Sequence, residues 1–170
     1  MNDSLIYRTA SVNDKIQLKE LALISYGQFA GVLSPANWEI MKGNINNDDN
    51  FNFLLNRATI FVCEKNCQII GVAYFIPSGN PTAIFENEWS YIRMVGVHPQ
   101  YRGLGIAKTL TQMCLDRAKK TNEKTIALHT SEFMDAARHI YESAGFVVLK
   151  EIGQLYGRQY WIYTLDVNKL

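Results

Sequence analysis

Between Arg102 and Lys108 the chain reads R-G-L-G-I-A-K, directly after a β-branched, apolar run from Ile92 to Val97 that breaks at His98-Pro99. Downstream, Ile106, Ala107, Leu110, Met113, Cys114 and Ala118 recur at helical spacing, which makes one apolar stripe for docking on a sheet. The order is strand, glycine turn, helix, with the helix expected to start at about Gly103 or Leu104. The first four amides of such a helix lack intrahelical acceptors, and its dipole places roughly half a positive charge at that end. Gly103 and Gly105 have no Cβ, so the backbone can approach a bulky anion such as a pyrophosphate closely. Arg102 and Lys108 add positive charge beside the turn, while Lys119 and Lys120 suit the helix C-terminus.

Two familiar phosphate loops do not match. A P-loop needs G-x-x-x-x-G-K-[ST]; Lys108-Thr109 supply its end, but Arg102 and Ala107 stand at its glycine positions. A dinucleotide fingerprint G-x-G-x-x-G accepts Gly103 and Gly105, then meets Lys108 at its third glycine. An ATP-dependent phosphotransferase is disfavoured accordingly.

The elements that must position this turn can be read from the pattern of the rest. Leu5 to Thr9 reads as a first strand, and Ser11 to Asp14 offers N-caps for a helix through about Ile24. Ser34-Pro35 opens a second helix, with Trp38, Met41 and Ile45 on one face; Asn46 to Asn50 reads as a polar loop. Ala58 to Glu64 and Cys67 to Ile76 form a hairpin, and Trp89 to Val97 leads into the glycine turn, with Gly96 marking a bulge or a close backbone approach. After the central helix come a strand from Lys124 to Thr130, a helix from Met134 to Ala144 closed by Gly145, and strands at Phe146 to Glu151 and Gln159 to Val167. Seven strands and about four helices in this order describe an α/β fold, a mixed sheet with helices on its faces. The strand-turn-helix-strand crossover at its centre should be right-handed.

Composition agrees with one globular domain over residues 1–170: 48% hydrophobic, 19% charged, net charge +1. That balance gives no electrostatic reason to expect a nucleic acid or membrane surface as partner. The N-terminus lacks a cationic region followed by an apolar core, and the expected location is cytoplasmic. Cys63, Cys67 and Cys114 show no metal-ligand spacing and are read as free thiols, so no metal is implied.

The strand ending V-x-V-x-P, followed by [RQ]-x-x-G-x-[GA], is filled by Val95, Val97, Pro99, Arg102, Gly105 and Ala107. It resembles the acyl-CoA-binding motif of the GNAT superfamily of N-acetyltransferases. A second signature of that superfamily, N-x-x-A-x-x-x-Y-x-x-x-G-F, is answered by Ala137, Tyr141, Gly145 and Phe146, with Met134 in the place of the asparagine. The resemblance implies a seven-stranded, mostly antiparallel sheet. It implies acetyl-CoA as co-substrate, held by Val95, Gly96 and Val97 along its pantetheine arm, by Arg102, Gly103, Leu104, Gly105, Ile106, Ala107 and Lys108 at its pyrophosphate, and by Met134 and Tyr141. It implies direct attack of a primary amine, on a small molecule or a protein, on the thioester carbonyl, with Tyr141 giving a proton to the leaving thiolate. Tyr91 stands where many relatives carry a basic glutamate, which leaves Glu88, or Glu86, to act through a water; His98 and His129 are further candidates, but beside a turn proline and inside a strand a satisfied structural role is the commoner one. Tyr26, Phe29 and Trp38 are expected over the acceptor pocket, and a homodimer through the C-terminal strands is compatible with the resemblance. The alternative is a non-catalytic acyl-CoA-binding regulatory domain, which would keep the cradle and lack the base.

Overall fold

The computed structural model describes residues 4–170. Among these residues are seven strands: β1 (Ile6–Thr9), β2 (Thr59–Lys65), β3 (Gln68–Ile76), β4 (Trp89–Val97), β5 (Thr125–Ser131), β6 (Val147–Leu155) and β7 (Arg158–Asp166). They form one sheet in the order β1-β2-β3-β4-β5-β7-β6, with β4 and β5 parallel and the other neighbours antiparallel. The helices are α1 (Lys15–Tyr26), α2 (Pro35–Asn46), α3 (Asp48–Arg57), α4 (Ile106–Lys120) and α5 (Asp135–Ser143).

Strand alternation divides the core in two. On β2, Phe61 and Cys63 pack with Leu110, Cys114 and Ala118 of α4 and Tyr141 of α5. Ile60 and Val62 face Leu18 and Leu21 of α1 and Phe51 and Leu54 of α3. β3 is buried on both faces from Ile69 to Ile76, which is why it reads as an unbroken apolar run rather than an alternating one. Gly71 lets α4 seat on β3, since a Cβ there would lie 2.5 Å from Ile106 Cγ2.

The structure departs from the sequence expectations at three places. The polar stretch after α2 is a helix start rather than a loop: the Asn47 side chain accepts from the Asn50 amide at 2.9 Å, and Asp48 and Asp49 occupy the first turn of α3, where the dipole favours them. The described residues therefore hold five α-helices instead of four. The central helix begins at Ile106, because Gly103 and Gly105 adopt φ of +80° and +76° and stay outside the helical region. β6 runs on to Leu155, passing Gly153 through a bulge at φ +82°. Gly145, at φ +103°, closes α5 as expected. The three cysteines are all free thiols, with Cys63 and Cys114 buried and Cys67 exposed.

The entry to α1 is pinned electrostatically. Asp14 accepts from the Ser11 amide at 2.6 Å and pairs with Arg8 of β1 at 2.8 Å, and Arg8 in turn reaches Glu64 of β2 at 2.7 Å. Hydrogen bonds from Arg8 hold the buried Asp14 carboxyl well below the usual carboxylate range. A depressed folded-state pKa stabilises above the unfolded value of about 4 and ceases to do so as pH falls through the folded one. Asp14→Asn should thus cost about 1–2 kcal/mol at pH 7. Urea midpoints measured from pH 7 down to pH 2 should show this deficit shrinking below pH 4; a deficit independent of pH would contradict the ion pair.

Candidate active site

The site is made by a separation. β4 pairs with β5 only from Trp89 to Tyr91, opposite Thr125 to Ala127. Beyond Tyr91 the strands part, because β4 carries a bulge: its register against β3 steps from Arg93↔Tyr74 to Gly96↔Val72, so Met94 and Val95 together face Ala73. Met94 sits at φ +50°, an uncommon conformation for a residue with a side chain; the extra residue bends the strand and re-aims the side chains beyond it. The parting opens a cavity of about 700 Å³ lined from both faces of the sheet.

On the α4/α5 face the lining includes Val95, Gly96, Val97, Arg102, Gly103, Gly105, Ile106, Ala107, Lys108, Met134 and Tyr141, so most of the expected cofactor residues converge. Leu104 is in the turn, but its side chain is exposed and outside the cavity. In α4 the Thr109 amide bonds to the Gly105 carbonyl at 3.0 Å, whereas the amides of residues 103–108 find no acceptor among the described residues. Nothing lies within 4 Å of a Cβ built on Gly103 or Gly105; the turn is an open row of donors beside the exposed Lys108, shaped for an oxyanion group. Arg102 does more than add charge, since it donates to the Ser25 carbonyl at 2.9 Å and ties the turn to the end of α1. Gly96 is a close approach, one of the two roles its place in the strand allowed, with the bulge two residues earlier: a Cβ there would be 2.5 Å from Ser25 Oγ.

Tyr141 is 7% exposed and packs edge-on against Phe146 at 6.1 Å. Burial pushes its phenol well above the ordinary value, with the nearby Tyr26 and Cys114 adding to the shift, so it stays protonated and available as a donor. Met134 is the N-terminal cap of α5, and its Sδ accepts from Thr130 Oγ1 at 3.6 Å.

On the α1/α3 face the walls are aromatic. Tyr26 and Phe29 meet edge-on at 5.8 Å, Phe29 meets Phe133 at 4.9 Å, and Phe133 meets Tyr160 at 6.2 Å. Burial pushes the Tyr26 phenol up to about 12. The β6–β7 turn roofs this half: Asn44 of α2 donates to the Tyr156 hydroxyl at 2.9 Å, and Arg158 donates to the Val32 carbonyl at 3.0 Å. Trp38, expected here, is absent from the lining, because its helix presents Met41, Asn44 and Ile45 to the cavity instead.

The expected bases fall differently. Glu88 and Glu86 are exposed before β4 and do not line the cavity. Glu88 precedes Val95 by seven residues, roughly 20 Å of strand, too far for proton transfer even through one water. Tyr91 is fully buried, stacks on Phe85 at 4.2 Å and donates to the Asn80 carbonyl at 2.8 Å; it braces the sheet and is no base. His98 accepts from the Gln100 amide and caps the turn after β4. His129 does line the cavity, between Phe85 and Tyr160. The sequence suggested a satisfied strand histidine, yet its Nδ1 is buried without a partner among the described residues. Burial, then the charge of Arg93, lowers its pKa to about 3, so the imidazole is neutral. Arg93, Phe133, Tyr156 and Tyr160 also line the cavity, and sequence reasoning missed all four. The available signal was an arginine inside an otherwise apolar strand, a place where charges seldom sit without a reason.

The site is thus a two-faced cavity across splayed parallel strands, with an open amide turn at one side. The profile of the Acetyltransferase (GNAT) family matches residues 27–146, more than half of the chain, and the chain belongs to that family. It is 30% identical over 104 residues to N-acetyltransferase 8B of Mus musculus, covering 61% of this chain and 43% of that protein. It is 36% identical over 66 residues to N-alpha-acetyltransferase 30 of Saccharomyces cerevisiae, covering 39% and 38%. The chain therefore spans less than half the length of either relative. Among solved structures, the PaiA N-acetyltransferase of Thermoplasma acidophilum in complex with coenzyme A superposes with a TM-score of 0.74 at 18% identity, over 96% of this chain and 99% of that one. The fold expected from the sequence is thus the one observed. Among the described residues no helix is long and apolar enough to cross a membrane.

The contact at Gly96 can be tested directly. Gly96→Ala should destabilise by about 1–3 kcal/mol through overpacking against Ser25, lowering Tm by roughly 2–4 °C per kcal/mol. Adding Ser25→Ala, which removes the Oγ at 2.5 Å and leaves the Cβ at 3.1 Å, should recover part of the loss in calorimetry. No recovery would mean that α1 does not set the end of β4.

Proposed function

We propose that this domain transfers an acetyl group from acetyl-CoA to a primary amine. The observation that carries the reading is the joining, in one cavity across the β4/β5 separation, of the open amide turn at 103–108 with the buried phenol of Tyr141. In this reading the pyrophosphate of acetyl-CoA lies on the turn beside Lys108, and the pantetheine arm runs along Val95, Gly96 and Val97, where β4 has lost its β5 partner. Such a placement makes the thioester and the acceptor neighbours, and positioning accounts for most of the acceleration.

The amine nitrogen attacks the thioester carbon from the aromatic half. A strand amide near Val95 holds the oxyanion as it forms. The C–S bond then breaks, Tyr141 gives its proton to the departing sulfur, and the proton that the nitrogen sheds as the amide forms passes to solvent, from which the phenol is restored. Among the described residues a carboxylate base is missing from the acceptor half, and His129 there is neutral and weakly basic. The free base of the amine is consequently the reacting species. A regulatory acyl-CoA-binding domain would need none of the aromatic chamber beyond Tyr141, and the enzyme reading is preferred on that ground.

Three results should follow. CoA or acetyl-CoA at a hundred times its Kd should stabilise by about 2.7 kcal/mol, a rise of about 5–10 °C for a domain of this size. Gly105→Glu, which puts bulk and negative charge in the turn, should remain folded and lose the shift; no shift for wild type at millimolar CoA would overturn the reading. Tyr141→Phe should lower kcat roughly 10²-fold with little change in KM for acetyl-CoA. Below the pKa of the acceptor ammonium, about 10.4 for an alkylamine, kcat/KM should climb about tenfold per pH unit as the free base accumulates. A plateau beginning near pH 5 would instead reveal a carboxylate base.

A further inference from the structure

The acceptor half of the cavity holds one charge that no group among the described residues answers. Four cationic side chains of those residues line the cavity as a whole: Lys19, Arg93, Arg102 and Lys108. Lys19 pairs with Asp48, and Arg102 is spent on the Ser25 carbonyl. Lys108 stands outside the acceptor half, beside the amide turn. Arg93 is half-buried on β4 opposite Tyr74, and its guanidinium makes no ion pair or hydrogen bond among the described residues. Its field reaches the chamber walls, where it lowers the pKa of Tyr26 and His129 against or along with burial. Leaving a guanidinium unpaired in such a place is costly unless a ligand completes it.

The lining also says what that ligand is not. Asp135 is the sole carboxylate among the described lining residues, and it sits exposed at the start of α5, within 3.8 Å of Arg138. A chamber with no acidic group and an unpaired arginine repels polyamines and other polycations. We propose that Arg93 anchors a carboxylate on the acceptor, and that the acceptor is a small amino-acid-like molecule whose apolar or aromatic body packs among Tyr26, Phe29, Phe133 and Tyr160.

This rests on the transferase reading and specifies its second substrate. An arginine fork binds a carboxylate through two parallel hydrogen bonds, so it fixes orientation as well as charge. Arg93 lies two residues from Val95, roughly 6–7 Å along the strand, so amine and carboxylate belong to the same small molecule. The roof contacts from Asn44 to Tyr156 and from Arg158 to Val32 favour a molecule that is enclosed over a long chain that must thread through.

The test compares amino acids of varied side chain, each with its C-terminal amide and its decarboxylated amine, by CoA thiol release. At least one acid should exceed its amide and amine in kcat/KM by about 30-fold or more. Arg93→Gln should erase that preference, mainly by raising KM for the acid, while the CoA-induced thermal shift stays unchanged. Arg93→Lys, which keeps the charge and loses the fork, should fall between and guards against misfolding of the first variant. Equal turnover of acids and amides, or a preference that survives Arg93→Gln, would overturn the anchor and leave the transferase reading standing. No thiol release with any acceptor, with or without a carboxylate, would overturn both.

Discussion

One bulge governs this molecule. Two residues of β4, Met94 and Val95, occupy the space opposite Ala73, and the strand bends away from β5 after only three paired positions. Every feature of the site depends on that bend. It leaves the backbone from Ile92 to Val97 without its β5 partner, joins the two faces into one cavity, and brings α4's open turn and α5's tyrosine to the same space. An unbulged β4 would continue its ladder with β5 and close the sheet between the two core clusters. The unusual φ of Met94 is held in place by packing on both sides, with α1 against Gly96 and α4 against Gly71.

The two halves of the cavity are built on different principles. The α4/α5 half uses backbone, where unpaired amides and glycines leave specificity to geometry. The α1/α3 half uses side chains, with aromatic rings that include Tyr26, Phe29, Phe133 and Tyr160, one histidine kept neutral by burial and one arginine without a partner among the described residues. Backbone recognition suits a ligand common to many proteins of one fold, while side chains can vary without disturbing the sheet. The chain shares its fold with the solved PaiA enzyme at only 18% identity.

Legibility in the sequence divides along the same line. The strand, the glycine turn and the stripe of α4 are local patterns, readable to within a few residues; the two glycines at positive φ move the helix start from about 103 to Ile106. α3 is signalled by Asn47 before two aspartates, an N-terminal signature hidden by its polarity, while Phe51 and Leu54 supply only a short apolar face. The acceptor residues cannot be read in this way. Arg93 precedes a bulge that breaks the strict alternation of β4, so the face it occupies is decided by tertiary packing. Glu88 and Trp38 are near the site in sequence yet outside it in space, since a strand carries residues away at about 3.3 Å each and a helix turns alternate residues from the cavity.

The turn at 103–108 has a thermodynamic consequence of its own. Its shape exists before any ligand arrives: both glycines are already in the left-handed region, His98 caps the preceding turn, and Arg102 fastens it to α1. The loss of backbone freedom that a flexible loop would suffer on wrapping an anion has been incurred during folding, where the core offsets it. On the proposed reading, recognition there begins from an ordered state, so little of the attraction between amides and anion is consumed in arranging the loop. On that reading, mutations that loosen the His98 cap would weaken affinity without removing a contact to the bound group.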